Sequence, residues 1–326
     1  MQPLLTRVKR YALVTLLALG GCQPGTDNPS VRFDVTAKGV HAGAIDATGE
    51  HLLVGSLYHG ASLWRLGDRE RLFDWRHQDG IDAELAAAAV SDDGRFAVTT
   101  EPRNLILWNA DTGRSLGYWG SPGGILDAAA ANDGRTILLA MEDHSALVFD
   151  AVDGDYLATL QHDGVVFSVA IDRAATQAFT TSEDATAKLW ALPHGAIIHS
   201  FSHASPVRIG ALARTANRAF TASQDGTLQL WDTQSGGLVQ QLAANRRGVT
   251  AARFVNDDAL LLIGFANGVI ETWNLEQGRQ SRRLQVPLKQ PYRATGNAIA
   301  ALGYNAQRRQ LLALVGDGQF VAYSIN

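Results

Sequence analysis

An apolar segment closed by an aromatic residue recurs along this chain at nearly constant spacing. It reads LWRL at Trp64, LILWNADTG at Trp108, LVFDAVDG at Phe149, KLWALPHG at Trp190, LQLWDTQSG at Trp231, IETWNLEQG at Trp273 and FVAYSIN at Tyr323. The steps are 44, 41, 41, 41, 42 and 50 residues. A period of this length means that each unit buries its apolar face against its neighbours rather than alone. Seven units then account for nearly all of the 326 residues as a single body.

Within a unit, short apolar runs alternate with turn chemistry. SDDGR at 91–95, ANDGR at 131–135, DRAATQ at 172–177 and ARTANR at 213–218 mark a first break. Glu183-Asp184-Ala185, Gln224-Asp225-Gly226, Ala266-Asn267-Gly268 and Gly316-Asp317-Gly318 mark a second. Asx-Gly pairs between apolar runs are strong hairpin signals. A further strand is expected after each aromatic one, at 156–161 and 237–242 for example. Four antiparallel strands per period of about 41 is the pattern of a propeller blade.

These units resemble WD repeats, and Trp231-Asp232 is the dipeptide that names them. The resemblance spans residues 31–326 and implies an all-β fold, a seven-bladed WD-type β-propeller. It is closest in the fourth and fifth units. There His162 is followed by Thr180, Asp184 and Trp190, and His203 by Thr221, Asp225 and Trp231, at the same offsets. These positions match the family's structural tetrad, a relay from indole N–H through hydroxyl and imidazole to a turn carboxylate. A buried indole or carboxylate left without partners costs about 1–3 kcal/mol, which is the physical need for such a relay.

Other units depart from the pattern. The third has Ser121 for the histidine and Phe149 for the tryptophan, and the second has His77 with Pro102 near its turn. The sixth keeps Asn267 and Trp273 beside Asn245 and Arg246, and the seventh ends in Tyr323. Because the chain stops right after the third strand of that unit, its outer strand must come from elsewhere. Residues 31–37 (VRFDVTA) are expected to supply it and close the ring.

The N-terminus reads as an address. Arg7, Lys9 and Arg10 precede a nine-residue apolar run, Tyr11 to Leu19. As a helix this run rises only about 13 Å, too short for a hydrocarbon core of about 30 Å. It ends in Leu19-Gly20-Gly21-Cys22, which resembles the lipobox of bacterial lipoproteins. The resemblance implies a signal peptide at 1–21, cleavage before Cys22 and acylation of that residue, the only cysteine of the chain. Several acyl chains anchor stably where one does not. Gln23 stands where an aspartate would mark inner-membrane retention, so the expected location is the outer membrane, facing the periplasm. Residues 22–30 form the tether, and its eight residues after Cys22 reach at most about 29 Å.

Without the leader the chain has 25 basic and 32 acidic residues, which speaks against nucleic acid as a partner. No nucleophile motif or phosphate loop is present, and the histidines His41, His51, His59, His144, His194 and His199 lack ligand spacing. No metal or cofactor is therefore expected. The Asx pairs at 92–93, 132–133 and 257–258 read as turn formers rather than catalytic carboxylates.

Function is expected on one rim, that of the connections between units and the second-to-third-strand turns. Tyr58, His59, Arg103, Trp119, Arg208, Arg246 and Arg247 are assigned to it, and Tyr292 and Arg293 lie in a longer insertion at 284–297. Aromatic and arginine side chains are favoured anchors in protein interfaces. The expected role is a non-catalytic, membrane-anchored scaffold for protein partners in the envelope. The alternative is a small-ligand sensor or enzyme that uses the central channel. A component of outer-membrane protein assembly is also a propeller lipoprotein, though its repeats look different.

Overall fold

The computed structural model describes residues 28–325, apart from 38, 57–59, 77–84, 216, 244–245 and 290–295. Cys22 and the leader lie outside the described residues, as do Tyr58, His59, His77, Asn245, Tyr292 and Arg293.

All regular structure among the described residues is β-strand, arranged as seven four-stranded antiparallel sheets. A short strand, β1 (Val31–Asp34), comes first. Blade 1 holds β2 (Val40–Ile45), β3 (His51–Ser56), β4 (Gly60–Arg65) and β5 (Glu70–Trp75). Blade 2 holds β6 (Ala87–Val90), β7 (Phe96–Glu101), β8 (Asn104–Asn109) and β9 (Ser115–Gly120). Blade 3 holds β10 (Ile125–Ala130), β11 (Thr136–Met141), β12 (Ser145–Asp150) and β13 (Asp155–Gln161). Blade 4 holds β14 (Val166–Ile171), β15 (Gln177–Ser182), β16 (Thr186–Ala191) and β17 (Ala196–Ser202). Blade 5 holds β18 (Val207–Leu212), β19 (Arg218–Ser223), β20 (Leu228–Asp232) and β21 (Leu238–Ala243). Blade 6 holds β22 (Val249–Val255), β23 (Leu260–Phe265), β24 (Val269–Asn274) and β25 (Arg279–Gln285). Blade 7 holds β26 (Ile299–Asn305), β27 (Gln310–Val315) and β28 (Gln319–Ser324), with β1 as its outer strand.

The composition of each strand follows from its place. The middle strands are covered on both faces by neighbouring blades, so β11 (TILLAM) and β12 (SALVFD) are apolar nearly throughout instead of alternating. Inner strands crowd around the axis and are built from small residues, as in AAAV of β6 and ILDAAA of β10. The core therefore lies between blades. One cluster joins Leu138, Val148 and Leu160 of blade 3 to Val166 and Trp190 of blade 4.

Adjacent inner strands meet all the way round, and β26 meets β2 to complete the ring. The closing strand pairs Val31 with Ala322 and Phe33 with Phe320, and those two rings stand 5.2 Å apart. The expected closing segment ran to residue 37. Strand pairing ends at Asp34, and the N–H groups of Val35 and Thr36 then converge on Gly318 O at 2.9 and 3.4 Å. The insertion is also shorter than 284–297, because Leu284 and Gln285 belong to β25 and Val286 is buried in the core.

Candidate functional site

The ring has two unlike rims. Connections between blades and the second-to-third-strand turns form the upper rim; the other turns form the lower. Six inner strands carry a β-bulge after their first residue, for example between Ile125 and Asp127 and between Val166 and Ser168. A bulge sets two residues against one and re-aims a side chain. In β14 and β18 the extra residues, Phe167 and Arg208, meet at the upper mouth. There the Arg208 guanidinium lies 4.0 Å over the Phe167 ring, and its Nε and Nη2 donate to Gln224 Oε1 at 3.3 and 3.2 Å.

Below that mouth runs a channel of about 450 Å³ lined by all seven inner strands. Its wall is mostly alanine, glycine and aliphatic side chain, with Asp127 as an exception. Asp127 is partly exposed and lines the channel. Burial pushes its carboxyl up to about 6, against the pull of hydrogen bonds from the Val169 and Ala128 N–H groups and Ser168. The lower mouth is crossed by an ion-pair network. Asp92 Oδ2 accepts from Arg214 Nε at 2.8 Å, and Asp92 Oδ1 lies 3.4 Å from Arg253 Nη2. Arg253 also donates to the carbonyls of Ile45 and Leu302, so this network ties blades 1, 2, 5, 6 and 7 together.

The Asx pairs are turn formers with a second task. Asp93 N donates to Asn132 Oδ1 at 3.1 Å, and Asp258 accepts from the Arg214 and Thr215 N–H groups at 3.0 Å each, so the turns link neighbouring blades. Among the described residues no group of three or more His, Cys, Asp or Glu side chains is placed to hold a metal ion.

The relay in blade 4 is continuous. Trp190 Nε1 donates to Thr180 Oγ1 at 2.8 Å, Thr180 Oγ1 lies 2.7 Å from His162 Nε2, and His162 Nδ1 lies 2.8 Å from Asp184 Oδ2. One tautomer satisfies every link, with Nδ1 protonated and Nε2 accepting from the threonine. Burial holds His162 below its ordinary value despite Asp184. Burial opposes ionisation of Asp184 too, yet hydrogen bonds from Thr186, Asp163 N–H and His162 lower it to about 2.

Blade 5 repeats the residues without repeating the whole relay. Trp231 Nε1 donates to Thr221 Oγ1 at 2.8 Å, but His203 Nε2 has no hydrogen-bond partner. Asp225 turns to Thr227 N at 2.8 Å, and burial lowers His203 as it does His162.

Elsewhere the loss of one partner accompanies the loss of the other. Phe149 has no side-chain N–H, and Leu139 stands at the threonine position of its blade; Tyr323 goes with Ala313. Trp108 keeps a hydroxyl at 2.8 Å from Thr99, and Trp64 finds Ser62 at 2.9 Å. Blade 6 differs, because Trp273 remains while Ile263 takes the threonine position, and the indole N–H is buried without an acceptor.

Of the residues assigned to the rim, Arg103, Arg208, Arg246 and Arg247 stand on the upper face, in the β7–β8 turn, on β18 and in the connection to blade 6. Arg103, Arg208 and Arg247 are exposed and Arg246 is half-buried. Trp119 serves another purpose. It lies half-buried on β9 with its ring 5.2 Å from Phe149, filling space between blades 2 and 3. Sequence reasoning missed the Asp92–Arg214–Arg253 network and Asp127. The network's members are 122 and 161 residues apart, and no local signal joins them.

Comparison with known families gives two matches. A profile described as outer membrane protein assembly factor BamB matches residues 54–167, from β3 into β14. A profile described as WD domain, G-beta repeat matches residues 154–191. No curated protein matches the chain. The second match begins before β13, the outer strand of blade 3, and ends with β16, so one repeat straddles two blades. It contains the whole His162–Thr180–Asp184–Trp190 relay, and β1 closes the ring by the same stagger. The fold is therefore a seven-bladed β-propeller, and the match across blades 3 and 4 supports WD-type repeats within it.

Proposed function

We propose that this protein is a non-catalytic scaffold of the bacterial envelope that holds a protein partner on its upper rim. The observation that carries the reading is the match of residues 54–167 to the outer membrane assembly factor profile, on blades of a closed ring. The geometry supports the same rim. The Asp92–Arg214–Arg253 network crosses the lower mouth, while arginines and Phe167 stand at the upper one. A rigid ring presenting arginine and aromatic groups suits protein recognition. In this reading Cys22 is acylated, the tether holds the ring close to the outer membrane on the periplasmic side, and the partner is a component of outer-membrane protein assembly.

Two arms test this. Growth with an alkyne-bearing palmitate analogue should label the wild-type protein, and Cys22→Ser should abolish the label and release the protein from membranes. Affinity capture from detergent-solubilised envelope should recover a membrane-assembly protein with the wild type. Capture of nothing specific at any salt concentration, or an unlabelled wild type, would contradict the proposal.

A further inference from the structure

Where blade 4 carries its relay, blade 6 carries an open charged recess. Trp273 occupies the expected place, but Glu271 takes the position of Lys188, two residues before the tryptophan. The Glu271 side chain is 1% exposed, and neither carboxylate oxygen receives a hydrogen bond. Arg246 Nη1 and Arg283 Nε approach Glu271 Oε1 at 3.5 and 3.7 Å, within ion-pair range and too far for good hydrogen bonds. With Arg247 and Asn267 these groups enclose about 190 Å³ on the upper rim.

The charges there do not balance. Three guanidinium groups face one carboxylate, which leaves two positive charges around the recess. Arg283 Nε is itself buried without a hydrogen-bond partner. A buried donor left in this state is costly, so the persistence of the Arg283 N–H points to a ligand that supplies its missing acceptor. An anion answers this site best, because it offers acceptors to Arg246, Arg247 and Arg283 and offsets their excess positive charge. A carboxylate suits best. It is planar, its two oxygens match the guanidinium fork, and its single charge is the least repelled by the Glu271 floor. A dianionic phosphate would set twice the charge against that floor.

We propose that this recess is a carboxylate-binding pocket that receives an acidic side chain of the protein partner. That the carboxylate belongs to a protein rests on the scaffold reading; the chemistry of the pocket does not.

The test uses full-length protein in detergent and a fluorescein-labelled decapeptide of alternating glutamate and serine, followed by anisotropy. Saturable binding is expected, with no binding of the glutamine counterpart. Arg246→Gln and Arg283→Gln should each weaken binding by about tenfold, and Glu271→Gln should tighten it by several-fold through loss of the repelling charge. Arg247→Gln, at an exposed position, should weaken binding by about threefold without affecting folding, and it carries the test if the other variants unfold. Absent peptide binding, arginine variants that all bind like wild type, or displacement by inorganic phosphate at lower concentration than by acetate would each overturn the proposal. If envelope capture still recovers a partner in those cases, the pocket is wrong and the scaffold reading stands.

Discussion

At the scale of single residues, the two histidine relays make a matched pair of unequal completeness. Thr180 serves both Trp190 and His162, whereas Thr221 serves Trp231 and leaves His203 Nε2 unpartnered. Thr180→Val therefore orphans two groups, and a loss of about 2–3 kcal/mol is expected in urea unfolding; Thr221→Val orphans one and should cost about 1–2 kcal/mol. Equal losses would mean that the relay in blade 4 adds nothing beyond the indole bond. The same relay sets a pH dependence. His162 and His203 are held below the ordinary histidine value of 6.5, so the unfolded chain takes up these protons first. The contribution of these two histidines is complete above about 6.5 and is lost as pH drops through the lowered folded values. His51 works in the opposite sense. Its hydrogen bond to Asp46 raises it, so its contribution is full below 6.5 and fades as pH rises through the raised value. His162→Gln should flatten the acid side of a stability–pH curve, and an unchanged slope would count against a neutral His162.

At the scale of elements, the ring depends on a closing strand of only four residues. Phe33 is half-buried, 5.2 Å from Phe320 and 6.1 Å from Trp64. Phe33→Ala should cost about 1–3 kcal/mol, less than a fully buried phenylalanine. Hydrogen exchange should then rise first in β28 and β1, because opening of blade 7 precedes loss of the other blades. Uniform exchange around the ring would contradict closure by β1. Element identity was the most legible part of this sequence. Aromatic spacing located every third strand, turn chemistry located the hairpins, and the truncated last unit identified the closing strand. The ends were less legible, since the chain bends away after Asp34 with the N–H groups of Val35 and Thr36 bonded to Gly318 O, and 284–285 continue a strand into what reads as a loop. Side-chain direction was less legible still. Trp119 sits near a strand end, and only the packing of blade 2 on blade 3 turns it toward Phe149. The recess at Glu271 was readable only in part. Its blade was recognisably decayed around Arg246, but that Glu271 is buried beneath two arginines depends on the fold of β24 and β25.

At the scale of the whole molecule, the ring joins local repeats by a few long ties. Asp92 reaches Arg214 and Arg253 across the lower mouth. Asp92→Ala leaves Arg253 its carbonyl partners but removes the shared acceptor, and a loss of about 1–3 kcal/mol is expected in urea unfolding. No measurable loss would mean that the network is a surface contact without structural weight. With one mouth crossed in this way, the scaffold reading requires an asymmetric molecule that engages its partner from the upper rim alone. Photo-crosslinking in living cells measures this directly, with a photoreactive residue placed singly at Arg103, Arg208 or Arg247 above and at Asp111, Arg173 or Gln234 below. Discrete protein adducts from the upper positions and none from the lower ones are expected; adducts from the lower rim alone, equally from both rims, or from neither would contradict the account.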